Sequence, residues 1–245
     1  MKRAYLIVTA VVVLGLGLAV MLMPTVSANT GNPPGFRLYD RDDVVYGRTM
    51  GEWSAEWWQW AFSIPVEIHP LFNNPDCSVG QSGPVWFLGG SFVSSTAVRN
   101  CTVPAGKALY FPILNTEDSS LEESFNNGCE DPVFGGTIAG LRKCADGGMT
   151  GVSVSAEIDG ISIPHLAERS RVQSPVFSFT LPDNNLLKVT TGNPYAAGAY
   201  FPSAGDGYYV MLPPLCRGNH TIHFRGVGSG GSFTLDITYY LTVAK

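Results

Sequence analysis

The sequence of 245 residues predicts a mainly β protein: an antiparallel β-sandwich, jelly-roll-like in topology, with a packed N-terminal tryptophan-rich helix and a small helical insertion. Charged residues make up only 14% of the chain, against about 25% in an average protein. Short segments in which apolar and polar residues alternate are bounded by turn-forming residues, and the sequence shows no strand–helix–strand repeat. Low charge, frequent glycine and proline, and period-two patterning together favour short strands over long surface helices.

The first 28 residues have the pattern of a secretory signal peptide. Lys2 and Arg3 precede an apolar run over residues 4–23, and Val26-Ser27-Ala28 offers a small-residue cleavage site. The run of about 20 residues is also long enough to cross a bilayer, so an uncleaved N-terminal anchor is the alternative. Residues 29–245 are expected to form a single β-sandwich domain, secreted or extracytoplasmic, with no membrane span if the signal is cleaved.

Four of the five tryptophans lie in one predicted helix, which begins at Thr49 and ends before Pro65. Thr49 and Glu52 fit a capping box, and proline cannot continue a helix. Helical spacing gives this segment a broad apolar surface and one narrow polar stripe. The broad surface contains Trp53, Trp57, Trp58 and Trp60. We expect the rings to pack as core, with a stacking platform for sugar rings and a membrane-interface surface as alternatives.

The strand predictions rest on local patterns. Pro112 interrupts one apolar run and predicts an edge strand or a β-bulge there. Asp159-Gly160 lies between two strand-like triplets and predicts a tight hairpin. The last strand keeps a period of two over twelve residues and is expected to pair with the strand before it across a glycine-rich turn. The predicted strand segments are 83–89, 108–114, 156–163, 177–181, 220–225 and 232–243.

Two stretches depart from this plan. Residues 117–147 are expected to form a disulfide-stapled helical insertion, with residues 137–144 as one of its helices. Residues 191–207 are rich in small residues and predict a long loop, and a loop of this length in a compact domain is often functional. Its rings Tyr195, Tyr200 and Phe201 are therefore the candidate binding residues. The alternative is that these rings cap one end of the sandwich.

The five cysteines predict two disulfides in an exported chain. We favour the sequence-local pairings Cys77–Cys101 and Cys129–Cys144, each contributing about 3 kcal/mol in the chain-entropy model. Cys216 is then left over, and we expect a buried, inert thiol. The chain contains no Cys-x-x-Cys pair, so neither a redox motif nor a zinc knuckle is indicated.

Four segments together form a recognisable signature. They are Trp57-Trp58-Gln59-Trp60, Gly83-Pro-Val-Trp-Phe-Leu88, Val103-Pro-Ala-Gly-Lys-Ala-Leu-Tyr-Phe-Pro-Ile113, and the ending His220-Thr-Ile-His-Phe224 with Thr238-Tyr239. In these segments the chain resembles a group of uncharacterised secreted microbial proteins. The resemblance covers most of the chain after the signal peptide. It implies export and a single domain, and it implies no activity, ligand or catalytic residue.

Candidate chemistry is sparse. A net charge of −5 argues against nucleic acid as a partner, because phosphate binding needs clustered Lys and Arg. Paired carboxylates can hydrolyse glycosidic bonds, and the candidate catalytic residues are Glu117, Asp118, Glu122 and Glu123. A solvated acidic face is the alternative. His220 and His223 point to opposite faces of a strand, and no cofactor or metal site is predicted.

Two functions follow from these observations. The leading hypothesis is a secreted or cell-envelope domain without catalysis, which has a binding or structural role and a glycan, another surface polymer or an envelope protein as its partner. The alternative is an extracellular hydrolase that acts on polysaccharide through paired carboxylates. Two carboxyl groups about 5–10 Å apart in a cleft favour hydrolysis, whereas exposed rings without such a pair favour binding.

Overall fold

The computed structural model describes residues 37–72, 76–123 and 137–245, so the predicted signal peptide and Cys129 lie outside the described residues. The described part is mainly β. Its strands are β1 Val44–Val45, β2 Arg48–Thr49, β3 Val85–Phe87, β4 Ser95–Pro104, β5 Ala108–Ser119, β6 Ser153–Ile158, β7 Ile161–Ser162, β8 Arg171–Gln173, β9 Phe177–Leu181, β10 Gly198–Leu212, β11 Gly218–Val227 and β12 Thr234–Ala244. Its α-helices are α1 Met50–Ser63, α2 Ser120–Glu123, α3 Ile138–Gly148, α4 Leu166–Ser170 and α5 Leu186–Thr191.

Ten of these strands form two five-stranded sheets. The first sheet has the order β3-β5-β10-β8, with β9 also paired to β10, and the second has the order β4-β12-β11-β6-β7. Most pairings are antiparallel, but β3 runs parallel to β5 and β4 runs parallel to β12. The prediction of a purely antiparallel architecture is wrong at these two pairs. Turn signals fix the direction of strands joined by a hairpin, whereas β4 and β12 are far apart in sequence and no local signal sets their direction.

Inward side chains of both sheets belong to one apolar cluster. Phe111 of β5 stacks on Phe224 of β11 with 5.2 Å between ring centroids, and Phe224 stacks on Tyr239 of β12 at 6.4 Å. The period-two pattern of the last strand produces this burial: Leu235, Ile237, Tyr239, Leu241 and Val243 are buried. The predicted hairpin of β11 with β12 is confirmed by a continuous antiparallel register.

Helix α1 covers the other face of the first sheet. It starts with the predicted capping box, in which the Glu52 N–H donates to the Thr49 hydroxyl and the Thr49 N–H donates to the Glu52 carboxylate. Its four tryptophans are between 2% and 6% exposed, so they are core residues. They pack with β3, β9, β10 and α5 in a second apolar cluster. The platform and membrane-surface alternatives for this helix are therefore wrong.

Two local devices shape the first sheet around β3 and β5. The β5–β10 register shifts so that Tyr208 opposes Leu114 and Tyr209 opposes Pro112, which confirms a bulge beside the strand proline. At β3, the Gln81 side chain donates to the Phe87 carbonyl and accepts from the Phe87 N–H at 2.7 and 2.8 Å. The amide thereby pairs the backbone of β3 as a neighbouring strand would.

Two predicted boundaries are wrong. Strand β5 continues to Ser119, so Glu117 and Asp118 belong to the sheet and not to an insertion. Strand β10 begins at Gly198, so the predicted loop over 191–207 shrinks to the residues between α5 and β10. The small residues of β10 suggested a loop, but they accommodate close neighbours: a Cβ on Gly205 would lie 3.0 Å from Trp58 Nε1. The predicted helix from residue 137 is confirmed as α3, capped by the Thr137 side chain.

The predicted disulfide Cys77–Cys101 is present, with 5.7 Å between the two Cα atoms. Cys144 is also disulfide-bonded, and its predicted partner Cys129 lies outside the described residues. Cys216 is a free and exposed thiol, so the expectation of a buried one is wrong. Within the described ranges, no helix combines the length and the apolar character needed to span a membrane.

Replacing Trp57 by alanine should lower the free energy of unfolding by about 3–5 kcal/mol, because the ring is 2% exposed and would leave a cavity. Urea denaturation monitored by circular dichroism measures the loss. Tyr46→Ala is the matched control, since that ring is 50% exposed and its removal should cost little. A loss below about 1 kcal/mol for Trp57→Ala would contradict a core role.

Candidate functional site

A concave cavity of about 450 Å³ lies beside the end of β3. Strand β3 pairs only with residues 108–110 of β5, and the next part of β5 forms one wall of the cavity. The end of α3 and the turn between β11 and β12 form other walls. We call this site the aromatic cavity because rings from three separate segments line it: Trp57, Trp58, Phe92 and Phe233.

The rings on one side of the aromatic cavity contact one another. Trp57 meets Trp58 edge-on with 5.1 Å between centroids, and Phe92 lies 6.4 Å from Trp57 and 6.3 Å from Trp58. The Trp57 indole N–H donates to the Leu88 carbonyl at 2.7 Å, which holds this ring in place. Close ring contacts and a buried hydrogen bond make this side of the cavity a preformed wall.

The polar side chains of the aromatic cavity are neutral, and three of them donate hydrogen bonds within the protein. Asn115 Nδ2 donates to the Tyr209 hydroxyl at 3.1 Å, and the Thr116 hydroxyl donates to the Ala145 carbonyl at 2.7 Å. The Ser232 hydroxyl donates to the Ser229 carbonyl at 2.9 Å. No Asp, Glu, Lys, Arg or His of the described residues lines this cavity. Such a lining suits an uncharged and largely apolar group, which loses little hydration on entry.

The candidate catalytic carboxylates lie elsewhere, at the end of β5 and in α2. Glu117 accepts a hydrogen bond from the Ser203 hydroxyl at 2.5 Å, and Glu122 accepts one from the Ser119 hydroxyl at 2.5 Å. Burial, followed by the charge of Glu122, raises the pKa of Glu117 well above its ordinary value. Asp118 is 5% exposed, and the side chain of Glu123 is outside the described part.

This carboxyl pair differs from the arrangement that glycoside hydrolysis uses. Glu117 and Glu122 lie near each other at the junction of β5, α2 and β10, and each accepts a hydrogen bond from a serine hydroxyl. Hydrolytic pairs are about 5–10 Å apart in a cleft, with the scissile bond between them. Glu117 is half-buried and Glu122 is 8% exposed, so the pair is not openly presented to a substrate.

The three candidate binding rings do not form one exposed surface. Tyr195 is 2% exposed and packs in the core with α5, and the Asn185 side chain donates to its carbonyl at 3.0 Å. Tyr200 is half-buried against Phe179, with 5.7 Å between centroids, and its hydroxyl donates to the Ala196 carbonyl. Phe201 is 63% exposed. Only Phe201 is therefore open to a partner in full.

The predicted disulfide Cys77–Cys101 lies outside the aromatic cavity. Both cysteines line a separate cleft on the second sheet.

The sequence patterns singled out Trp57 and Trp58 but missed Phe92, Phe233 and the end of α3 as parts of the site. No local pattern distinguishes these residues, because they meet only through contacts between distant segments. In the described part of the chain, no group of three or more His, Cys, Asp or Glu side chains is arranged to hold a metal ion.

No protein-family model, no curated protein sequence and no solved structure matches this chain.

The side chain of His69 is buried beside the wall of the aromatic cavity and is neutral. Its Nδ1 accepts the Leu71 N–H at 3.1 Å, which leaves the proton on Nε2 to donate to the Ala61 carbonyl at 2.9 Å. Burial lowers the pKa of His69 to about 4, and the charge of Arg99 acts in the same direction against the raising effect of the Ala61 carbonyl. The ring also lies 5.9 Å from Phe92 of the cavity wall.

Acidification should destabilise the protein through His69. The unfolded chain binds a proton near pH 6.5, whereas the folded chain binds it only near pH 4, so stability falls as the pH drops through this interval. The shift corresponds to about 3 kcal/mol. Urea denaturation from pH 8 to 3.5, compared with His69→Gln, isolates the effect because glutamine does not titrate. Parallel pH profiles for the two proteins would contradict it.

Glu117 should act in the opposite direction. Its pKa is raised in the folded state, so the unfolded chain loses this proton first and stability falls as the pH rises above about 4.5. Glu117→Gln keeps the hydrogen bonds and removes the titration. The variant should therefore gain stability over the parent protein progressively between pH 5 and 8. Asp183→Asn is the control, since that carboxylate lies in a turn after β9. A gain that is independent of pH would contradict the assignment.

Proposed function

We propose that this protein is a secreted or cell-envelope binding domain without catalytic activity, and that the aromatic cavity is its binding site. The observation that carries the proposal is the cavity itself: about 450 Å³, aromatic on one side and without a charged side chain among the described residues. Volumes of about 300–1,000 Å³ with mainly apolar walls are typical of small-molecule sites.

The lining supports a ligand of definite chemistry. The half-buried rings of Phe92 and Phe233, with the buried Trp57 behind them, favour an apolar ring or chain. The neutral hydroxyl and amide groups at Ser91, Asn115 and Ser229 favour one or two hydroxyl or carbonyl groups on that ligand. A surface polymer or an envelope protein that presents such a group fits the cavity as well as a free molecule does.

Extracytoplasmic location is part of the proposal. The disulfide Cys77–Cys101 supports it, because disulfides persist in oxidising compartments. The resemblance to secreted microbial proteins and the signal-like residues 1–28 point in the same direction.

A β-sandwich of jelly-roll-like form is likewise proposed for the two sheets. Its support is the stacking of Phe111 on Phe224 across the cluster that both sheets share. Jelly-roll domains commonly present binding surfaces on a sheet or at its edges.

A polysaccharide hydrolase is the second candidate. The observation in its favour is that the pKa of Glu117 is raised beside Glu122, as in pairs that combine one acid with one carboxylate. The burial of Glu122, which is 8% exposed, opposes it, since hydrolytic pairs lie in a cleft with the substrate between them. A screen against glycans and envelope fractions distinguishes the two candidates when it measures both retention and product release. Retention without products indicates binding, and release of products indicates hydrolysis.

The neutral fluorophore N-phenyl-1-naphthylamine should bind the aromatic cavity with saturable fluorescence and one site per chain. Gly147→Phe should weaken this binding about tenfold or more. Gly147 lines the cavity, and a Cβ at this position meets no atom within 4 Å, so the added ring enters open space. A fluorescence titration at constant protein concentration measures both proteins.

Gly147→Ala is the matched control, because its methyl group is too small to fill the cavity and suits the helix. It should bind the fluorophore as the parent protein does. Saturable binding that survives Gly147→Phe, or no saturable binding to the parent protein, would rule out the aromatic cavity as the site.

A further inference from the structure

A second concave site lies on the solvent face of the second sheet, away from the aromatic cavity. Strands β4, β12 and β11 are adjacent there, and residues 76–78 line the site beside β4. The resulting cleft has a volume of about 620 Å³, and we call it the outer-face cleft. It shares no lining residue with the aromatic cavity.

Tyr240 is the central aromatic residue of the outer-face cleft. Its ring is 52% exposed, whereas the neighbouring side chains Tyr239 and Leu241 point inward and are 2% and 1% exposed. Among the described residues, the Tyr240 hydroxyl has no hydrogen-bond partner and the ring has no aromatic neighbour. The ring therefore adds nothing to the core, and a face of it is open to a ligand.

Short neutral side chains surround this ring in register. Asn100 of β4 and Thr221 of β11 are paired with Tyr240 on its two sides. One row further, Thr102 and Asn219 are paired with Thr242 in the same way, and the Thr242 hydroxyl donates to the Asn219 side chain at 3.2 Å. Neighbouring strands are about 4.8 Å apart and alternate residues about 7 Å, so amide and hydroxyl groups flank the ring within reach of one sugar unit.

One side of the cleft is fixed covalently. The Cys77–Cys101 disulfide joins residues 76–78 to β4. The Asp76 carboxylate accepts hydrogen bonds from the Ser78 N–H and hydroxyl at 2.9 and 2.6 Å. The site is therefore preformed, which lowers the entropy cost of binding an extended ligand.

The charge pattern selects the ligand class. The lining contains no lysine and no arginine among the described residues, which disfavours phosphates and nucleic acids. His220 is protonated more readily than an ordinary histidine: partial burial lowers its pKa, but hydrogen bonds to Asp159 and the Cys216 carbonyl outweigh that effect. That charge is balanced by Asp159, and the Asp76 carboxylate is engaged by Ser78, so the cleft offers one aromatic face with amide and hydroxyl groups beside these two paired charges.

We propose that the outer-face cleft binds a neutral oligosaccharide, with one pyranose ring stacked on Tyr240 and hydroxyl groups bonded to Asn100, Thr221 and the second row. Pyranose rings have an apolar face that stacks on aromatic side chains and a hydroxyl rim that suits amides and threonines. This inference is independent of the aromatic cavity, because the two sites share no residue and take ligands of different chemistry.

Affinity electrophoresis in native gels tests the proposal, with dextran, laminarin, xylan and mannan as neutral polymers and alginate as the anionic comparison. At least one neutral polymer should retard the protein, and Tyr240→Thr should weaken that retardation about tenfold. Threonine removes the ring and keeps the strand propensity. The protein is produced in a bacterial periplasm, because Asn100-Cys-Thr102 and Asn219-His-Thr221 are glycosylation sequons that a eukaryotic host would modify.

Tyr46→Asn is the control, since that ring is 50% exposed and does not line the cleft, and asparagine tolerates the positive φ of 51° at this position. It should leave retardation unchanged, and thermal unfolding confirms that each variant is folded. Asn100→Ala on the edge strand β4 is the second variant, and it tests the proposal by itself if Tyr240→Thr does not fold. A weakening of the retardation by about threefold or more in this variant supports the proposal. Retardation by alginate alone, no retardation by any polymer, or retardation that both variants preserve overturns the proposal. Fluorophore binding in the aromatic cavity is measured separately, so failure at one site is distinguishable from failure at the other.

Discussion

The indole N–H groups of α1 are the constraint on which the rest of the first sheet depends. An unpaired buried N–H costs about 1–3 kcal/mol, and three of the four indole donors of α1 are paired with backbone carbonyls. Trp53 donates to the Val45 carbonyl, Trp57 to the Leu88 carbonyl and Trp60 to the Val79 carbonyl, at 2.9, 2.7 and 3.1 Å. The helix thereby holds the β1–β2 hairpin, the chain that leaves β3, and the turn beside the Cys77–Cys101 disulfide. One helix therefore positions three segments that are not paired with one another.

The same packing explains why glycines cluster where the sequence suggested loops. A Cβ on Gly89 would lie 2.9 Å from the Trp57 ring, and a Cβ on Gly205 would lie 3.0 Å from Trp58 Nε1 and 3.2 Å from the Thr116 carbonyl. These glycines let the sheet backbone approach the rings closely. The aromatic cavity forms where Trp57 and Trp58 of α1 meet Phe92, the end of α3 and the turn between β11 and β12.

Sequence patterns predicted the elements that depend on neighbours along the chain. The capping box of Thr49 and Glu52, the Asp159-Gly160 hairpin and the alternation of β12 are local signals, and each matches the structure. Features that depend on distant segments were not accessible. The parallel pairing of β4 with β12, the burial of Tyr195 and the position of Glu117 in a strand all follow from tertiary contacts. The aromatic cavity depends most strongly on distant segments, because its lining residues come from α1 and from the turn between β11 and β12.

The distribution of ionisable groups bears on the proposal that this protein binds a ligand without a catalytic step. In the described part of the chain, the buried charges are engaged in structure: the guanidinium of Arg171 binds the carboxylate of Asp206 at 3.0 Å, and Gln173 donates to the same carboxylate. His69 is neutral with both nitrogens bonded, and Glu117 shares its hydrogen bonds with Glu122 and Ser203. The aromatic cavity presents rings and neutral side chains, whereas the outer-face cleft presents one open ring with amides and hydroxyls beside Asp76 and His220. General acid–base chemistry needs a titratable group within hydrogen-bond reach of the ligand. A ligand in the aromatic cavity meets apolar contacts and neutral hydrogen-bonding groups, so the lining of this site supports the proposed binding role.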